Sequence, residues 1–177
     1  AVTGDILHKK GEEQEAFAAY DSCLQWKDDN VMALNNYAYY LSEKGVDLHK
    51  AEAMSYKTIK AEPNNGTYLD TYAWILFMEE RYADAKTYID QALKNRDSTA
   101  DNSTVIEHAG DIYYMNGMAD ESVDFWKKAY TGENQTEVLA WKIKNRQYIT
   151  EEELKKRNAS KQKPAATKKS VRKGKKK

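Results

Sequence analysis

The side chains best suited to chemistry in this sequence are one histidine, two carboxylates and one cysteine. Glu107, His108 and Asp111 are separated by one, three and four residues, so on a helix they share one face and could coordinate a metal ion. Two carboxylates and one imidazole on a single helix make an open site, and the competing interpretation is a polar face that meets solvent or a peptide. Cys23 follows the helical spacing of small residues, which favours a packed core thiol over a nucleophile, because no general base is placed near it. No Gly-rich phosphate loop, His-Glu-x-x-His motif or pair of catalytic carboxylates is present, so we predict a non-catalytic protein without a cofactor.

Charge divides the chain into an acidic body and a basic tail. The 177 residues carry 28 Lys+Arg and 28 Asp+Glu. Residues 1–150 hold 16 basic and 25 acidic side chains, whereas residues 151–177 hold 12 and 3. From Lys155 onward there is no acidic residue and almost nothing apolar, so we expect a Lys-rich tail that cannot bury enough surface to fold. No apolar run is long enough to cross a bilayer, and a lone cysteine cannot form an internal disulfide.

Small residues recur in register along the chain, at separations of 34, 35 and 37 residues. This spacing predicts pairs of helices that cross closely at fixed points, because only small side chains let two backbones approach. The turn inside each pair carries Gly11, Gly45 or Gly117, and Glu80-Arg81 replaces the glycine once. The rows are Gly4, Ala38, Ala73 and Gly110, then Ala16, Ala51, Ala85 and Ser122, then Cys23, Thr58, Ala92 and Ala129.

This period, with small and aromatic residues in each helix pair and Pro63 at a unit end, resembles the tetratricopeptide repeat (TPR). The resemblance covers about residues 1–131 and implies an all-α solenoid, in which antiparallel helix pairs stack into a right-handed superhelix with a concave groove. Ala1 falls inside the first helix of unit one, so we expect further repeats before it. We expect TPR units at about 1–30, 31–65, 66–99 and 103–134, a closing helix at about 135–149, and a short helical extension that passes into a disordered Lys-rich tail over 150–177. The closing helix should cover the last repeat, with Lys142, Lys144 and Arg146 facing water.

In the TPR family the first helix of each pair lines the concave surface, which assigns candidate binding residues to this chain. Asn35 and Asn36 can each donate and accept hydrogen bonds, so they could clamp the backbone of an extended peptide. Trp74 and Tyr39 are rigid, amphipathic anchors for a partner, whereas Phe77 suits either that role or packing against the neighbouring repeat. The full candidate set is Asn35, Asn36, Tyr39, Asp70, Thr71, Trp74, Phe77, Glu107, His108, Asp111 and Tyr114.

The predicted groove carries mainly negative charge, which bears on the class of partner. TPR proteins that dock chaperones use Lys and Arg to grip a C-terminal carboxylate. The matching positions in this chain hold Asp5, Asn35, Asn36, Thr67 and Thr71. Because only the asparagines of that pattern survive, we do not expect carboxylate capture. We expect instead a protein or extended peptide that is neutral or basic rather than acidic.

The basic tail supports three interpretations. First, the tail could stay solvated or fold back on the acidic body. Second, it could attract nucleic acid or anionic lipid without sequence preference. Third, Lys-Pro-Ala-Ala-Thr-Lys-Lys and the distal lysines could act as a bipartite nuclear localisation signal. Interleaved aromatic residues are absent from it, which disfavours stacking on single-stranded bases. Its charges include Lys168, Lys169, Arg172, Lys173, Lys175, Lys176 and Lys177.

A narrower resemblance covers about residues 60–130. The runs 69–77 (LDTYAWILF) and 106–113 (IEHAGDIY) look like the last repeats of Gram-negative envelope TPR lipoproteins. Some members of that group are adaptors for periplasmic proteases or for envelope assembly, which implies a periplasmic or outer-membrane-associated location, with the cytoplasm second. We therefore expect a non-catalytic adaptor that binds a protein segment in its groove. The alternatives are a binder of nucleic acid or anionic surfaces through the tail, and head-to-tail assembly through the incomplete first unit.

Overall fold

Helices joined by short turns make up the described part of the chain. The computed structural model describes residues 2–161, apart from the side chains at 133 and 161. Four helix pairs follow one another, and no strand occurs between residues 2 and 161, so the predicted all-α repeat architecture is confirmed. The pairs are α1 (Val2–Lys9) with α2 (Glu13–Trp26), α3 (Val31–Lys44) with α4 (Leu48–Ala61), α5 (Gly66–Met78) with α6 (Tyr82–Asn95), and α7 (Ser103–Met115) with α8 (Ala119–Ala129). A 3-10 turn (Gly132–Asn134), α9 (Glu137–Asn145) and α10 (Glu151–Lys161) complete the described chain.

The small-residue rows lie where helices cross closely. Ala38 and Ala73 are 0% exposed. At the two ends of the same row, a Cβ added to Gly4 would lie 2.7 Å from the Tyr20 ring, and one added to Gly110 would overlap the Trp126 ring. Each large ring of a second helix thus fits against the bare backbone of its first helix. This geometry is the physical reason for the repeat that the sequence shows.

The tight turn inside each pair needs a left-handed backbone. Gly45 and Gly117 adopt it with φ of 64° and 81°. The third pair lacks a glycine at this turn, and Glu80 takes the same conformation with φ of 61°. The replacement that the sequence shows at Glu80-Arg81 therefore keeps the turn but places a strained, non-glycine residue in it.

Successive pairs stack where the second helix of one pair meets the first helix of the next, and the later first helices also contact one another. α3 contacts α5, and α5 contacts α7, so these helices form one continuous wall. The last core cluster joins Val123 and Trp126 of α8 to Leu139 of α9, and thus α9 packs against the final pair. Within residues 2–161 no helix is both long and apolar enough to span a membrane.

The C-terminal helix extends further than we expected. We expected no folding from Lys155 onward, but α10 continues to Lys161. Local interactions explain the difference, since Thr150 and Glu153 cap the start of α10 reciprocally. The Thr150 amide donates to Glu153 Oε2 at 2.9 Å, and the Glu153 amide donates to Thr150 Oγ1 at 3.2 Å. Leu154 supplies an apolar anchor that is 3% exposed.

Candidate functional site

A cavity of about 670 Å³ lies between the first helices of the repeats and the C-terminal segment. One wall comes from α3, α5 and α7, with Tyr39, Trp74 and His108. The opposite wall comes from α9, α10 and the linker between them, with Tyr148 and Leu154. Of the predicted groove residues, the structure brings five to this cavity: Tyr39, Trp74, Glu107, His108 and Asp111.

Trp74 is the centre of an aromatic stack on the repeat wall. Its ring lies nearly parallel to those of Phe77 and His108, with centroids 4.8 Å and 4.1 Å away. Its indole Nε1 is buried and has no hydrogen-bond partner in the described part of the chain. An unpaired buried donor costs free energy of about 1–3 kcal/mol, so this group is suited to a ligand that supplies an acceptor.

His108 is fixed by a carboxylate from the neighbouring repeat. Its Nδ1 lies 3.0 Å and 3.2 Å from the two oxygens of Asp70, and both residues are buried. Burial on its own lowers the pKa of His108, but the adjacent Asp70 and the charges of Asp111 and Glu107 outweigh it and raise the pKa above its ordinary value. This imidazole therefore carries a positive charge at neutral pH more readily than a solvated histidine does.

Lys142 of α9 is buried, which contradicts the expectation that it faces water. It is 3% exposed, and its Nζ lies 2.8 Å from both oxygens of Asp111 and 3.0 Å from Glu107 Oε1. The Trp126 Nε1 also donates to Asp111, at 2.8 Å. Burial lowers the pKa of Lys142, but Asp111 and Glu107 together outweigh it and raise the pKa. The closing helix is thus held to the last repeat by a buried ion pair.

The polar face of α7 is committed to protein partners. His108 bonds to Asp70, Asp111 bonds to Lys142, and Glu107 accepts from Lys142 and from Asn134 Nδ2 at 3.1 Å. Because His108 pairs with Asp70 while Glu107 and Asp111 converge on the Lys142 ammonium, the three side chains form a structural network rather than a set of ligands for one ion. A group of His and Glu residues with metal-ligand spacing occurs instead at His49, Glu52 and Glu79.

The remaining candidates lie outside the cavity lining. Asn35 donates to Asn36 Oδ1 at 3.2 Å, and Asn36 donates to Asp5 Oδ1 at 3.0 Å, so these donors are already engaged. Phe77 is buried, and it stacks on Trp74 of its own helix and packs edge-on against Tyr148 of the C-terminal segment. Asp70 and Thr71 are buried, and Tyr114 packs near Trp126 with ring centroids 5.8 Å apart.

Carboxylates outnumber ammonium groups around the cavity. Three of the five lining carboxylates pair with lysines, since Lys142 pairs with Glu107 and Asp111, and Lys155 pairs with Glu151. Glu43 is exposed, and it accepts from the Tyr39 hydroxyl at 3.1 Å. Burial and the nearby Glu43 raise the pKa of Tyr39, which keeps this hydroxyl protonated as a donor. The lining carboxylates are Glu43, Glu107, Asp111, Glu137 and Glu151, and the lysines are Lys142 and Lys155.

Comparison with known proteins agrees with the repeat architecture. No protein-family model matches the chain. A TPR repeat-containing protein of Pseudomonas aeruginosa is 35% identical over 66 residues, which cover 37% of this chain and 11% of that protein. The alignment therefore spans a small part of that relative's length.

Solved structures match a much larger part of the chain. PilF of Pseudomonas aeruginosa has a TM-score of 0.68 and 16% identity, over 89% of this chain and 67% of its own. MamA from AMB-1 has a TM-score of 0.57 and 20% identity, over 71% of this chain and 72% of its own. YrrB, described as a TPR protein with an unusual peptide-binding site, has a TM-score of 0.53 and 20% identity, over 72% of this chain and 63% of its own. The chain has the tetratricopeptide-repeat fold.

In this TPR fold, the wall formed by the C-terminal segment is the part of the site that the sequence analysis missed. Tyr148 packs edge-on against Phe77 with ring centroids 5.7 Å apart, and Leu154 and Ile149 are 3% and 7% exposed. Tyr148 and Ile149 fall within the closing helix predicted at about 135–149, whereas Leu154 stands out in an otherwise polar stretch and could have signalled further packing. Nothing in their spacing indicates that they pack over the concave face of the TPR units.

The predicted anion-binding element of this chain lies outside the described residues. Lys168, Lys169, Arg172, Lys173, Lys175, Lys176 and Lys177 all follow residue 161. Their proposed contacts with nucleic acid or lipid stay a prediction.

Proposed function

We propose that this TPR protein is a non-catalytic interaction scaffold that binds a protein segment in the cavity on its concave side. The observation that carries the proposal is the buried Nε1 of Trp74 in the wall of that cavity, which has no hydrogen-bond partner within residues 2–161. A peptide carbonyl oxygen would accept from this donor, while the flat stack of Trp74 and His108 would cover an apolar side chain. An extended segment supplies both groups at short spacing.

The charge around the cavity supports a neutral or basic segment. Glu43 is an exposed lining carboxylate with no lysine or arginine partner among the described residues, and the lysines that line the cavity are paired to carboxylates. A Lys or Arg side chain of the partner could approach Glu43 without displacing an internal ion pair. Such rim charges act more on encounter and register than on affinity.

The biological setting that we propose is the bacterial envelope, with the scaffold serving envelope assembly or regulation of a protease. The support is the resemblance of residues 60–130 to envelope TPR lipoproteins. Fractionation of producing cells tests this setting, and recovery in the cytosolic fraction alone would contradict it.

A peptide selection tests the groove assignment directly. Random peptides displayed on phage are selected on the immobilised full chain, and the enriched peptides are synthesised for fluorescence anisotropy. We expect enrichment of Lys or Arg together with apolar residues. Replacing the exposed rim carboxylate by Glu43→Lys should weaken these peptides about fivefold. The matched control is Glu121→Lys, an equally exposed change on α8 outside the cavity lining, which should leave binding unchanged.

Trp74→Phe separates the donor from the ring. It keeps an aromatic face but deletes the Nε1–H group, and it should weaken peptide binding by about two- to tenfold if that group donates to the ligand. Selection of acidic peptides would overturn the charge preference. Equal binding by the wild type, Glu43→Lys and Trp74→Phe would overturn the groove assignment.

The second candidate function is attraction of nucleic acid or anionic lipid by the basic tail. The supporting observation is that residues 151–177 hold 12 basic but only 3 acidic side chains. Counterion release predicts binding that falls steeply as salt rises. A chain that ends at residue 161 keeps α10 and loses the tail, so unchanged binding of duplex DNA by that chain would reject this function.

A further inference from the structure

A second cluster of chemically capable side chains lies away from the cavity. His49 and Glu52 are one helical turn apart on α4, and Glu79 caps the C-terminal end of α5. One ligand atom from each of the three residues lies within 4.8 Å of the others. Imidazole and carboxylate groups together suit Zn²⁺, which binds both in proteins.

Glu79 provides an independent indication that a ligand belongs at this place. Its side chain is 10% exposed, and its Oε1 is buried without a hydrogen-bond partner among the described residues. His49 Nδ1 lies 3.7 Å from this oxygen, which is too far for a hydrogen bond, and Arg81 pairs with the other carboxylate oxygen, Oε2. An unpaired, buried carboxylate oxygen costs free energy, and a bound cation would remove that cost.

The spacing of the His49 and Glu79 ligand atoms is close to that of two ligands around one zinc ion, and Glu52 lies within the wider 4.8 Å limit of the group. Nitrogen and oxygen ligands lie about 2.0–2.2 Å from tetrahedral zinc, so two of them are about 3.3 Å apart. The 3.7 Å between His49 Nδ1 and Glu79 Oε1 therefore needs a movement of a few tenths of an ångström. His49 is fully exposed and can make this movement without disturbing the core.

Arg81 holds the two carboxylates in place from the other side. Its Nη1 lies 2.6 Å from Glu52 Oε1 and 3.2 Å from Glu79 Oε2, whereas the unpartnered oxygen of Glu79 is Oε1. Its Nη2 also pairs with Asp84 at 3.1 Å. Three carboxylates thus face one guanidinium, and the excess negative charge favours a cation. An arginine that binds one oxygen of each carboxylate acts as an outer-shell partner of the kind that orients metal ligands.

We propose that His49, Glu52 and Glu79 form a Zn²⁺ site, with water completing the coordination. The ion would connect the start of α4 to the turn between α5 and α6, and so it would fix the packing of two neighbouring repeats. This role is structural and independent of the peptide groove.

Titration with Zn²⁺ alone tests the site. The tag-free full chain is stripped with chelator and titrated with ZnCl₂ by isothermal calorimetry, with CaCl₂ as the ion comparison. We expect one saturable site for Zn²⁺, no comparable site for Ca²⁺, and a Tm that rises with Zn²⁺. His49→Ala, at a fully exposed position, should keep the fold by circular dichroism and weaken Zn²⁺ binding at least about tenfold.

Two further variants decide whether the assigned ligands are correct. Glu79→Gln preserves the shape of the side chain and should weaken Zn²⁺ binding as His49→Ala does. His8→Ala removes a histidine that stacks on Tyr40 elsewhere in the chain, and it should bind Zn²⁺ as the wild type does. Absence of saturable Zn²⁺ binding in the wild type, or binding that neither His49→Ala nor Glu79→Gln weakens, would overturn the proposal.

Discussion

Lys142→Met removes one buried charge from the contact between α9 and the last repeat while it keeps the length of the side chain. In the wild type, Lys142 Nζ lies 2.8 Å from both Asp111 oxygens and 3.0 Å from Glu107. Asp111 is 3% exposed, so after the substitution its carboxylate would keep only the Trp126 indole as a donor. Removal of one partner from a buried ion pair costs about 3–5 kcal/mol, because the other charge stays buried without compensation.

The loss should be local. Each element of a solenoid contacts its neighbours, and α9 packs against α8 at the end of the repeats. Hydrogen exchange measured by mass spectrometry should therefore show amides of residues 137–145 exchanging about a hundredfold faster or more, while α3 and α5 keep their protection. Unfolding in urea, followed by tryptophan fluorescence, reports the same change as an early phase.

Two variants make this prediction refutable. Lys144→Met changes an exposed lysine of the same helix and should shift stability by less than about 0.5 kcal/mol. Asp111→Asn keeps an acceptor for Trp126 but removes the charge, so the pair Lys142→Met/Asp111→Asn should be more stable than Lys142→Met alone. If Lys142→Met behaves like Lys144→Met, or if the two substitutions add without coupling, the ion pair does not hold α9 in place.

Three more predictions follow from the same contacts. The folded state raises the pKa of His108 above its unfolded value of about 6.5. Protonation of His108 therefore contributes stability that is complete below about pH 6.5 and is lost as the pH rises through the folded pKa. NMR titration should show the raised pKa, and Asp70→Asn should lower the pKa of His108. Gly110→Ala places a methyl group in the Trp126 ring and should cost about 1–3 kcal/mol in urea unfolding; an unchanged midpoint would contradict the close crossing. Leu154→Asp should release α10, which would appear as loss of amide protection in residues 151–161 while α5 and α7 keep theirs. The same loss in the control Lys156→Ala, at an exposed position, would show that Leu154 is not the anchor.

The repeat architecture could be predicted from the sequence because its causes are local and recur. The rows of Gly4, Ala38, Ala73 and Gly110 reflect one steric requirement that is met once in each unit. Each occurrence strengthens the inference, and even the unit without a turn glycine shows the rule, since Glu80 adopts the same left-handed backbone.

The partners of the groove residues could not be predicted, because they depend on contacts between distant parts of the chain. Asp70 and His108 are 38 residues apart, and Asp111 and Lys142 are 31 apart. Lys142 is one of two lysines in α9, and nothing in its sequence neighbours distinguishes it from Lys144. Its burial follows from the position that α9 takes over α7, which a pattern of helical periodicity does not encode.

The two walls of the cavity differ in how strongly their contacts stabilise them. The repeat wall is continuous core, with Trp74 stacked between Phe77 and His108, and His108 fixed by Asp70. The α10 wall inserts one leucine and is otherwise stabilised by its own cap, by exposed pairs between residues four apart, and by one hydrogen bond and one cation–π contact to α9. Such exposed contacts contribute from a few tenths to about 1 kcal/mol each, so local opening of α10 costs less than disruption of the repeat core. A segment that binds beside Trp74 would therefore meet a rigid surface on one side and an adjustable one on the other.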